Sequence, residues 1–197
     1  MPVNAGRRFS QAISEGDGIS LIARVSAAED AARVEEQGAE AVLVSGPNNG
    51  ALTQIRSATT LPVLVAGADE SGAPPLDADA CLLDVGEDLD LLARLSSELA
   101  ETCELAFRID DEERLESALE QLDPEIFVLA APDADGEEAL ERVLDLLPDV
   151  PAGKLAIADL SRLSREDVGA LERAGFDGVI VEPRSVADLV GDAPPDV

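Results

Sequence analysis

Short runs of apolar and β-branched residues alternate along this chain with stretches whose apolar positions recur every three or four residues. The runs fall at residues 19–25, 41–45, 63–66, 81–84, 104–109, 126–130, 155–159 and 178–181. They are apolar over most of their length rather than alternating, the mark of parallel strands buried on both faces beneath a layer of helices. Helical spacing is clear between most of them, as at 89–100, 112–122 and 137–147. A short leading helix is expected at 10–14, within a leading segment 1–16. Ser164 and Asp167 have the spacing of a capping box, with Asp where Glu or Gln is usual, and open a helix that ends at Gly175.

About eight such units in 197 residues predict an α/β fold, a compact (β/α)8 TIM-type barrel near the lower size limit of roughly 200 residues. An open doubly wound sheet has the same local pattern and differs only in closure. One unit departs from the rule. Residues 67–79, GADESGAPPLDAD, hold two consecutive prolines, so a loop is expected where the barrel's third helix would follow the third strand. The chain reads as one domain, 1–197, with a frayed tail at 193–197.

Composition sharpens this picture. Acidic residues number 42 against 14 basic ones, a formal net charge of −28, and they are spread along the whole chain. A uniformly acidic surface suits concentrated salt, which screens the self-repulsion that weakens a compact state. The expectation is a halophilic, cytoplasmic protein. Phosphate-backbone binding needs a basic face, so nucleic acid is not an expected partner. No apolar run reaches the roughly 18 residues of a membrane span, and MPVNAGRRF lacks the apolar core of a secretory signal. Cys81 and Cys103 read as small buried hydrophobes, and without histidine or a CxxC pair they make no zinc site.

Several segments resemble indole-3-glycerol phosphate synthase, an enzyme of tryptophan biosynthesis. FSQAISEGDGISLIARV is similar to that family's leading helix and first strand, and GALTQIRSATTLPVLV to its second helix and third strand. ADACLLDV resembles the fourth strand, CELAFRIDDEERLESAL the fifth strand and helix, and LSREDVGALERAGFDGVIVEP the seventh helix and eighth strand. The resemblance spans nearly the whole chain but rests on framework segments. It implies a lyase that closes an indole ring on a ribulose phosphate derivative, losing carbon dioxide and water.

The residues for that chemistry do not carry over. Where the family's first strand ends Glu-Val-Lys, this chain has Arg24, Val25 and Ser26. Where the third ends Leu-Arg-Lys-Asp, it has Leu64, Val65, Ala66 and Gly67, so the catalytic lysine position is Ala66. The fifth-strand glutamate aligns with Arg108, and Asn-Asn-Arg-Asp after the sixth with Ala130, Ala131, Pro132 and Asp133. Glu-Ser-Gly of the seventh becomes Asp159, Leu160 and Ser161, and Gly-Glu of the eighth becomes Glu182 and Pro183. A general acid must hold a proton within about 3 Å of the reacting group, and alanine has none. The sole lysine, Lys154, precedes the seventh strand, at the end of the barrel away from the chemistry. No cofactor is expected, and Glu182 would repel a phosphate at the last strand.

The expected catalytic face keeps Arg24, Ser26, Ser45, Asp84, Arg108, Asp110, Asp133, Asp159 and Glu182. Three readings fit them. The arginines and aspartates plug the old mouth as ion pairs. Alternatively Arg24 and Arg108, with Ser26, Asp84, Asp133 and Glu182 around them, grip a small anion. In the third, Asp84, Asp110, Asp133 and Asp159 hold a hard cation. Residual lyase chemistry would fall to Asp159 and Asp110 as acid and base. GPNNG at 46–50 reads as a β-to-α turn, since Gly and Asn accept positive φ. The expected function is therefore a pseudoenzyme that binds a small anion or a protein partner. The alternatives are an altered carbon–carbon lyase and a pure interaction module using the surface near residues 67–79.

Overall fold

The computed structural model describes residues 7–16, 18–46, 49–67 and 78–190. Eight parallel strands close into a barrel in sequential order. They are β1 (Ser20–Val25), β2 (Ala41–Ser45), β3 (Val63–Ala66), β4 (Ala80–Asp84), β5 (Glu104–Ile109), β6 (Ile126–Ala130), β7 (Leu155–Asp159) and β8 (Gly178–Val181). Closure comes from β1 pairing with β8, Ile22 opposite Ile180, which excludes the open sheet.

The helices are α1 (Arg8–Ser14), α2 (Ala28–Glu36), α3 (Asn49–Ala58), α4 (Leu89–Leu99), α5 (Glu112–Gln121), α6 (Gly136–Leu146), α7 (Arg165–Ala174) and α8 (Val186–Leu189). Counted along the chain, the third helix is short but present, between β2 and β3. The segment expected to be a loop lies one unit later, between β3 and β4, and its residues 68–77 are outside those described. So are residues 1–6 of the leading segment, Pro47 and Asn48 of GPNNG, and the tail 193–197. Gly46 has φ 54°, the left-handed backbone a β-to-α turn requires.

Period-two alternation divides every strand between two cores. Outward residues such as Val42, Val65, Phe107, Phe127 and Val179 pack under the helices. Inward ones form stacked layers. The middle double layer takes one residue from each strand, Ile22, Leu64, Ala106 and Ile157 from the odd strands and Leu43, Leu82, Val128 and Ile180 from the even ones. Burying each large aliphatic side chain contributes roughly 1.5–3 kcal/mol, so this layer is a main source of the barrel's stability.

Below it, α1 lies across the N-terminal end, with Phe9 and Ile13 packed into the interior. Gly178 of β8 faces this packing: a Cβ there would come into ordinary contact with Ile13, Ile22 and the Ser20 carbonyl, each at 3.4 Å. Glu104 receives the start of α1, accepting from the N–H groups of Phe9 (2.7 Å) and Ser10 (3.2 Å). At the other end of the chain α7 opens on the expected capping box. Ser164 N–H donates to Asp167 Oδ2 at 2.8 Å, Asp167 N–H donates to Ser164 Oγ at 3.2 Å, and Gly175 closes the helix at φ 108°.

Candidate functional site

Two residues above the middle double layer, each strand, or for β8 the residue that follows it, presents one more position of the same phase. In order these are Arg24, Ser45, Ala66, Asp84, Arg108, Ala130, Asp159 and Glu182. They form the floor of the C-terminal mouth, where barrels of this kind carry their chemistry.

Asp159, on β7, is the buried member, its side chain 7% exposed. One of its oxygens pairs with Arg24 from β1 and the other with Nη2 of Arg108 from β5, at 2.8 Å. Strands β1 and β5 lie on opposite sides of the barrel, so this carboxylate joins them across the axis. Arg108 reaches on to Asp84 at 3.3 Å, and Nε of Arg24 lies 3.7 Å from Glu182. The result is a chain of alternating charge, Glu182–Arg24–Asp159–Arg108–Asp84, with each guanidinium between two carboxylates. A buried carboxylate is tolerated only when its charge is compensated in this way. The arginine side chains remain 32% and 25% exposed, so their outer edges face the mouth. Nε of Arg108 is buried and has no hydrogen-bond partner among the described residues.

The other expected site residues stand apart. Asp110 pairs with Arg114 one helical turn on, at the start of α5, and raises that guanidinium's pKa. Ser26 and Asp133 are exposed, on the loops after β1 and β6. Among the described residues no group of three or more His, Cys, Asp or Glu is placed to hold a metal. Asp84 and Asp159 both turn to Arg108, so the four-aspartate cation site is not assembled in this geometry. Lys154 sits at the N-terminal end, held by Glu125 (2.8 Å) and Asp123 (3.2 Å), which raise its pKa and keep it charged.

A cleft of about 210 Å³ lies beside the charged chain, between the loops after β7 and β8, and is lined by Ser161, Arg162, Glu182 and Arg184. That is below the roughly 300–1,000 Å³ of a usual small-molecule pocket. A larger groove, about 970 Å³, opens on the flank of the barrel toward its other end, over β5.

Sequence reasoning missed a set of carboxylates at the N-terminal end. Glu40, Asp79 and Asp177 each precede a strand, and each exchanges hydrogen bonds with one residue of the strand before. Leu21 donates its N–H to Glu40 at 2.8 Å, Val63 to Asp79 at 2.8 Å and Ala156 to Asp177 at 2.8 Å. In return the backbone N–H of each acid reaches the carbonyl of the same partner, at 3.0, 3.0 and 2.8 Å. The signal was present as an acid between small or apolar residues just ahead of a strand: AEAVL, ADACL and FDGVI.

Fold and site together define an α/β TIM-type barrel whose mouth is spanned by its own ion pairs. No protein-family model matches the chain, and a search of curated proteins finds no match either.

Proposed function

We propose that this chain is a non-catalytic barrel resembling indole-3-glycerol phosphate synthase, which acts by binding rather than by turnover. One observation carries the reading: Asp159 joins Arg24 and Arg108 across the place where that family's substrate would react. The proton donors such a ring closure requires are replaced by arginines and carboxylates engaged with one another in ion pairs. The acidic surface fits a cytoplasm rich in salt, where screening relieves the repulsion of 42 acidic side chains.

The deciding experiment is turnover of the carboxyphenylamino-deoxyribulose phosphate substrate in molar KCl, followed by indole fluorescence. With no Trp and no Tyr, the protein itself is nearly dark in that channel. Folded protein giving no signal is the expected result; a signal that grows with enzyme concentration overturns the proposal and favours an altered lyase.

A second reading is favoured by the unpartnered Nε of Arg108 and by the exposed edges of both guanidiniums. A small carboxylate or phosphate entering the mouth would find donors already oriented, at the expense of the contacts to Asp84 and Glu182. Such a ligand would raise the thermal midpoint in proportion to the logarithm of its concentration. The rise would vanish in Arg108→Met.

A further inference from the structure

Cys81 and Cys103 take no part in the mouth. Cys81 is on β4 and Cys103 lies just ahead of β5, both on the outer face of the barrel beneath the end of α4. Both are free thiols, and their sulfurs are 3.0 Å apart. That is closer than two unbonded sulfur atoms normally approach and about 1 Å longer than a disulfide bond. The β4–β5 register sets this up: Cys81 is opposite Leu105, and Cys103 is two residues earlier on the same outward-facing side.

The two thiols are not equivalent. Cys103 borders the groove of about 970 Å³, with Leu105 and Phe107 beside it and Ser96, Ser97 and Ala100 of the α4 segment forming one wall. Cys81 is behind it. Once Cys103 ionises, the Cys81 thiol donates to it across the same short contact. This holds Cys103 below the ordinary thiol range and pushes Cys81 up, in each case against or alongside the effect of burial.

The geometry points to a redox modification site: a dithiol that small disulfide oxidants, entering along the groove, convert to an intramolecular disulfide. The Cys103 thiolate attacks one sulfur of the oxidant, forming a mixed disulfide and expelling a thiolate. Cys81 then loses its proton to that leaving thiolate or to water and attacks the Cys103 sulfur, expelling the second. The protein loses two electrons and two protons; the oxidant disulfide gains them and becomes two thiols. The new bond would close the 22-residue separation that contains α4 and would pin β4 to β5. Asp84 and Arg108, at the tops of those strands, would then be held in their present pairing.

The test uses the full chain in molar KCl, incubated with oxidised glutathione and then analysed intact by mass spectrometry and thiol titration. The expected product is a monomer that has lost two hydrogens and both free thiols. Its thermal midpoint should be higher by roughly 5–10 °C, from closure of a loop of this length, and a thiol reductant should reverse the change. In Cys81→Ser a stable glutathione adduct should accumulate on Cys103. In Cys103→Ser, Cys81 should react at least about tenfold more slowly. Two thiols that persist in folded protein, or a disulfide formed only between chains, would overturn the site. Faster reaction at Cys81 than at Cys103 would overturn the assigned order of attack.

Discussion

At the N-terminal end of the barrel, Glu40, Asp79 and Asp177 each accept a hydrogen bond from a strand N–H, and Glu104 accepts from the first turn of α1. At the C-terminal end, Asp159, Asp84 and Glu182 pair with guanidinium groups among the described residues. Backbone donors cannot be mutated away, so an acid that satisfies one is bound into the architecture. A side-chain pair can be exchanged as a set. The lower end therefore reads as the part that makes the barrel, and the upper end as a set of charges that can be exchanged together.

This contrast predicts that the largest single losses lie at the lower end. Phe9 is fully buried in the floor of the barrel, and α1 is held there largely by Phe9 and Ile13. Phe9→Ala should cost about 3–5 kcal/mol of unfolding free energy through the cavity it leaves, measured by urea denaturation in high salt. A loss below about 1 kcal/mol would mean that α1 is an accessory to the barrel, and the contrast between the ends would fail.

At the mouth the effect should depend on whether charges are removed singly or together. Asp159→Ala leaves Arg24 and Arg108 facing each other without their shared counter-ion. Breaking a buried pair costs roughly 3–5 kcal/mol; partial exposure of both arginines reduces the expectation to about 2–4 kcal/mol. Replacing the group as a whole, with Arg24→Met, Arg108→Met and Asp159→Leu, should return stability to within about 1 kcal/mol of the original or raise it. If the triple variant were instead much weaker than Asp159→Ala, the mouth would be as architectural as the floor.

The strands were legible because a barrel strand is buried on both faces. Residues 41–45, 104–109 and 155–159 read as largely apolar runs, and β2, β5 and β7 occupy those residues. The Ser164 capping box and Gly175 fixed α7 for a similarly local reason. The convergence of Arg24, Arg108 and Asp159 was partly legible too, since each is two residues beyond an inward Ile or Ala and shares its phase. Which acids would answer those arginines was not. Asp110 follows β5 as Glu182 follows β8, yet it turns to Arg114, a choice made by helix geometry rather than by strand phase. The reciprocal pairs of Glu40, Asp79 and Asp177, and the contact between Cys81 and Cys103, depend on the register of neighbouring strands. A pattern read along one segment does not contain that information.

Glu104 tests the floor by a smaller step. Its carboxylate satisfies two N–H groups at the start of α1, and Glu104→Ala leaves both to find other partners. The expected cost is about 1–2 kcal/mol, that of a lost helix cap. Glu104→Gln should recover part of it, because the amide oxygen still accepts. Equal losses in the two variants would show that charge, not hydrogen bonding, holds α1.

The smallest expected effect is also the one with a defined pH signature. Glu35, at the end of α2, accepts from the hydroxyls of Thr60 and of Thr59 (2.7 Å) and from the Thr60 N–H (3.1 Å). These bonds, led by the Thr60 hydroxyl, lower its pKa below the ordinary 4.5. A carboxyl whose folded pKa is depressed contributes stability that is fully present above the unfolded value and is lost as pH falls through the folded one. Glu35→Gln should therefore be less stable than the parent at neutral pH, by under about 1 kcal/mol for a carboxylate only partly buried. The difference should shrink as pH drops below 4.5. Glu40 should behave in the opposite sense. Burial raises its pKa despite the Leu21 N–H, so its ionisation favours the unfolded chain, and its contribution declines as pH rises from 4.5 through the raised value. Two-dimensional NMR titration of the two carboxyls would separate them. If both were raised, burial rather than hydrogen bonding would govern the acids at the barrel's lower end, and the distinction drawn between its two ends would rest on exposure alone.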